Sequence, residues 1–146
     1  MKYLIALICL ALSGCNQSPA SRIEKVLNKC AAISAEASRQ PTPEQKIDFV
    51  TRSFQSLDTS ECPEDFRVAF QSHVNAWLQF QAMSGQNTLA ANFVEGFLGG
   101  FTGDTSKIGQ TDGNASAANQ YVNNTYFRLT EIAAAHGARV PRSVVK

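Results

Sequence analysis

An all-α bundle of four to five helices is the fold this sequence predicts, and three observations carry it. Apolar residues recur at three- and four-residue spacing through most of the chain, helix start and stop residues bracket those runs, and no run alternates convincingly at period two as a half-buried strand would. The length of 146 residues suits one compact domain, and a hydrophobic fraction of 44% supplies a core. Lys plus Arg total 13 against 12 for Asp plus Glu. That balance gives no composition-level case for nucleic-acid binding or for strongly electrostatic membrane binding.

The first helix is expected to start at the capping box Ser21-Arg22-Ile23-Glu24 and to bury Ile23, Val26, Leu27, Cys30, Ile33 and Ala37. Pro41 ends it. Thr42 is the natural N-cap of a second helix with Pro43 at its first position and Ile47, Val50, Phe54 and Leu57 as its stripe. Pro63 opens a third, where Glu64 and Asp65 complement the N-terminal dipole and Phe66, Phe70, His73, Val74 and Trp77 share a face. Ser84-Gly85-Gln86-Asn87 breaks it.

Between Asn87 and Gly103 the pattern changes. Leu89, Phe93, Phe97 and Phe101 recur every four residues, while Gly96, Gly99, Gly100 and Gly103 interrupt the same stretch. Each interior Gly costs a helix about 1 kcal/mol relative to Ala, so the expected helix frays in its second half. A polar loop follows to Asn114. The last helix is expected from about Ala115 to His136, with Ala118, Val122, Thr125, Leu129, Ile132 and Ala133 inside and Gly137 as C-cap.

The N-terminus carries an address. Lys2 precedes an apolar run, Tyr3 to Leu12, that is too short for a stable bilayer span. Its ending, Leu12-Ser13-Gly14-Cys15, resembles the lipobox of bacterial lipoproteins. The resemblance implies that residues 1–14 are a signal peptide and that Cys15 becomes the lipidated N-terminus, triacylated and palmitate-bearing. Residues 15–20 then form the tether and residues 21–146 a single helical domain. In such lipoproteins Asp after the cysteine favours the inner membrane; here the position is Asn16, which implies the outer membrane, with the domain facing the periplasm.

In that compartment the remaining pair, Cys30 and Cys62, is expected to form a disulfide. It would close a loop of about 33 residues, worth roughly 3.5–4 kcal/mol in the chain-entropy account. Neither cysteine has a Cys or His at metal-ligand spacing, and no metal or other cofactor is expected.

No recognisable catalytic constellation stands in the sequence: no nucleophile elbow, phosphate loop, zinc-helix motif or dinucleotide fingerprint. His73 reads as a half-buried core residue and His136 as a cation at a helix C-terminus. Glu95, in an apolar stretch, reads as a solvated acid. The strongest candidate contact surface is Phe93, Gly96, Phe97, Gly100, Phe101 and Gly103, where Gly-x-x-x-Gly spacing lets backbones approach and the rings can dock on a partner. The alternative for the same stripe is core packing inside the bundle.

The stretches Cys62-Pro63-Glu64-Asp65-Phe66-Arg67 through Ala76-Trp77, and Glu131-Ile132-Ala133 through Gly137 and Pro141, resemble small uncharacterised helical proteins of bacterial envelopes. The expectation is a non-catalytic, membrane-anchored interaction or structural module, with an envelope protein or a second copy as partner. The alternative is a carrier of a small hydrophobic ligand in a cavity lined by Phe66, Phe70 and Trp77.

Overall fold

The computed structural model describes residues 17–84 and 113–141, which hold four helices and no strand. We label them α1 (Pro19–Ala37), α2 (Pro43–Gln55), α3 (Glu64–Ser84) and α4 (Gly113–Ala135).

The first helix starts earlier than its sequence suggests. Ser18, not Ser21, is the N-cap: its hydroxyl accepts from the Ser21 amide at 3.2 Å, and Pro19 follows in the first turn. Two serines compete for this role, and the proline decides it, because its fixed φ suits the first helical position and its missing N–H is needed by nothing there. Pro19 and Ala20, expected in the tether, are therefore helical. At α2 the expected cap holds, with Thr42 Oγ1 accepting from the Gln45 amide at 3.3 Å.

The last helix also begins earlier, at Gly113, and ends in a Schellman motif. The Ala138 amide reaches the Ala133 carbonyl and the Gly137 amide the Ala134 carbonyl, both at 2.9 Å, with Gly137 at φ +75°.

Neighbouring helices run antiparallel. At one end Arg22 of α1 donates to the carbonyl of Glu61 just before α3, and His136 after α4 meets Asp65 at the start of α3. At the other end Gln81, late in α3, donates to Asp48, early in α2. The most extensive packing is between α3 and α4; α2 sits between α1 and α3, and α1 touches α4. We call the end holding Arg22, Asp65 and His136 the proximal end.

The core is aromatic. Phe54, Phe66 and Trp77 are fully buried, and the Phe54 ring lies 6.3 Å from both Phe70 and Trp77. Trp77 meets Phe80 edge-on at 5.8 Å, in the orientation that ring quadrupoles favour. The rings proposed to line a ligand cavity, Phe66, Phe70 and Trp77, are thus packed within this core.

Cys30 and Cys62 are both buried free thiols, and the disulfide expected between them is not formed. They face different neighbours. Cys62 opens beside Arg22 and Val26, whereas Cys30 lies one turn further along α1, close enough to Tyr126 of α4 to influence its hydroxyl. Helical spacing places Cys30 on the buried face of α1.

Candidate functional site

The proximal end carries a charged cleft. On α1, Arg22, Lys25 and Lys29 stand at i, i+3 and i+7, spacing that places them along one side of a helix. Opposite them runs the connection between α2 and α3. It is folded tightly by its own polar groups: Asp58 Oδ1 accepts from the Ser60 amide and the Thr59 carbonyl from the Cys62 amide, both at 2.9 Å. This turn aims the Glu61 carbonyl at Arg22, whose Nη1 donates to it at 2.9 Å.

Two adjoining hollows result. One, of about 120 Å³, is lined by Arg22, Lys25, Val26, Lys29, Asp58, Glu61 and Cys62. The other, of about 310 Å³, is bounded by Gln17, Arg22, Lys25 and Glu61 and lies beside the point where the chain enters α1. The Ser60 hydrogen bonds hold the Asp58 carboxyl below its usual range, with Lys29 and Lys25 adding to the effect. Burial pushes the Cys62 thiol up, and Arg22 partly offsets this. The cleft therefore offers cations to a small anionic group and lacks an activated thiolate.

His73 belongs to the core, and more completely than expected: it is 1% exposed. The Trp77 Nε1–H donates to its Nε2 at 3.3 Å, and its Nδ1 lies 3.0 Å from Thr125 Oγ1. The Trp77 donor assigns the proton to Nδ1, which donates to Thr125. The Thr125 hydroxyl in turn donates to the Val122 and Tyr121 carbonyls, at 2.9 and 3.0 Å. Burial pulls the imidazole pKa down to about 3, so the ring is neutral at physiological pH. Its polar atoms are taken up by protein groups.

His136 adds a hydrogen bond to a carboxylate to its expected helix-end role. Its Nε2 lies 2.9 Å from Asp65 Oδ2 and 3.0 Å from Oδ1, and the imidazole bond holds the Asp65 carboxyl below its usual range. Nearby, the Arg139 amide donates to Glu24 Oε1 at 2.8 Å. These bonds fasten the segment after α4 to the starts of α3 and α1.

Among the described residues no group of His, Cys, Asp and Glu could hold a metal ion, and no helix is long and apolar enough to cross a membrane. The lipidation site Cys15, the contact surface Phe93 to Gly103 and Glu95 lie outside the described residues. The charged cleft was not singled out from the sequence. Its basic row is readable at 22, 25 and 29, but the acids opposite sit in an irregular connection with no periodicity.

In comparison with known proteins, no family model, no curated protein and no solved structure matches this chain.

Proposed function

We infer that this chain is a lipid-anchored protein of the bacterial envelope, held through Cys15 and presenting a non-catalytic helical bundle to the periplasm as an interaction or structural module. One observation carries the anchoring: Leu12-Ser13-Gly14-Cys15 closes a short apolar run behind Lys2. Fractionation tests it. The wild-type chain is expected with the membranes, preferentially the outer membrane, and Cys15→Ser in the soluble fraction or unprocessed.

The core supports the non-catalytic half of the reading. Its one buried histidine is neutral and hydrogen-bonded on both ring nitrogens, and burial pushes the Cys30 thiol up to about 12. Neither group is prepared as a base or nucleophile.

The contact surface in this proposal is the Phe93, Gly96, Phe97, Gly100, Phe101 and Gly103 stretch. In-cell photo-crosslinking from positions 97 and 101 tests it. A discrete adduct with an envelope protein or a second copy supports the module. No adduct from a stably expressed, folded protein contradicts it. The Cys30–Cys62 staple belongs to the same proposal, because the periplasm oxidises thiols. Thiol counting on denatured protein taken from membranes decides it: no free thiol in the mature chain supports the bond, and two contradict it.

A further inference from the structure

We propose that the proximal end of the bundle rests on the phospholipid headgroups of the bilayer that holds Cys15, with headgroup phosphate seated at Arg22 and Lys25. This rests on the anchoring reading above and adds an orientation and a contact to it.

Chain length supplies the first argument. Helix α1 is capped at Ser18, so three residue steps separate Cys15 from the start of the fold. Fully extended, they span about 10 Å. A lipid on Cys15 therefore holds the start of α1 close to the membrane surface, about one Debye length away at physiological salt. The antiparallel bundle brings the α2–α3 connection and the segment after α4 to that same end.

Charge placement supplies the second. The near-neutral total is unevenly placed along the bundle. Residues 68–84 and 113–127 contain no Asp, Glu, Lys or Arg, so the charge of the distal end is confined to the end of α1 and the start of α2, where Arg39 is paired with Glu36 and Lys46 follows Glu44. Arg22, Lys25 and Lys29 line the proximal cleft, and Arg139 is exposed at the same end.

Three of the acids there accept hydrogen bonds from protein groups. Glu24 accepts from the Arg139 amide, Asp58 from the Ser60 amide and Asp65 from His136. Exposed Glu64 opens α3 at the same end, and Glu61 remains in the cleft wall beside Arg22 and Lys25. A phosphate at the two cations leaves that carboxylate for the ammonium of a zwitterionic headgroup.

The test uses the mature, lipidated chain in phosphatidylcholine–phosphatidylglycerol vesicles doped with a nickel-chelating headgroup lipid. A nitroxide amino acid is placed at exposed Ser21 or at exposed Ala82, near the far end of α3. Flotation with the vesicles reads the anchor separately. Relaxation several-fold stronger at Ser21 than at Ala82, reduced by Lys25→Gln with Lys29→Gln while helical content is unchanged, supports the proposal. Equal relaxation at the two sites, stronger relaxation at Ala82, or no response to the charge variants in a protein that floats overturns it and leaves the anchor standing. A chain that does not float overturns both.

Discussion

The indole N–H of Trp77 points at Nε2 of His73, and that single bond assigns the proton of the buried imidazole to Nδ1. The two residues lie one turn apart on α3, and the ring between them and α4 carries the polar chain on to Thr125. Replacing His73 with Phe keeps a ring of similar size but removes the acceptor for Trp77 and the donor to Thr125. The expected loss is about 1–3 kcal/mol, read by urea unfolding followed through Trp77 fluorescence. An unchanged midpoint would contradict the role given to this network.

The same histidine makes the fold acid-sensitive. Its folded pKa, about 3, lies below the unfolded value near 6.5, so between these limits the unfolded chain binds the proton and the native chain does not. Stability therefore falls as pH drops through that window, by about 2 kcal/mol between pH 7 and pH 5 from this group alone. Urea titrations at the two pH values measure it, and His73→Phe is expected to flatten the dependence.

Asp65 acts in the same direction at lower pH. Its carboxyl is held below the usual range chiefly by His136, so its contribution is present above the unfolded pKa and is lost as pH falls through the folded one. Removing the imidazole with His136→Ala is expected to move the Asp65 pKa back toward the usual carboxylate value. Carboxyl chemical shifts followed through an NMR pH titration check this.

Gly137 isolates a backbone effect. A Cβ there would meet nothing within 4 Å, but the residue sits at φ +75°. Gly137→Ala is expected to cost about 1–2 kcal/mol through conformation alone, with the Schellman motif weakened. Thermal unfolding measures it.

Thiol reactivity separates folded from unfolded chains. With its pKa at about 12, Cys30 is thiolate at pH 8 in about one molecule in ten thousand, and it is buried. Iodoacetamide is expected to leave it unmodified in the native protein and, where it is a free thiol, to modify it fast in urea. Rapid native labelling of Cys30 would contradict the packing described.

The helices were legible because their signals are local. Thr42 with Pro43, the Phe66 to Trp77 face and Gly137 each need only a few neighbouring residues to be read. The start of α1 was misplaced for the same reason: Ser18 and Ser21 both fit the local pattern, and the proline between them arbitrates. What was not legible joins distant parts of the chain. Thr125 completes His73 across 52 residues, and Glu61 meets Arg22 across 39. The pairing of Cys30 with Cys62 is of this kind too, since spacing places a cysteine on a face but does not say which helix that face meets.

The central claim is that this bundle hangs from a lipidated Cys15 on a tether of a few residues. Mass spectrometry of the N-terminal peptide, from protein isolated from the membranes of its host, tests it most directly. The account predicts a peptide beginning at Cys15 and carrying acyl chains. An unmodified Cys15, or a chain still beginning at Met1, would contradict it.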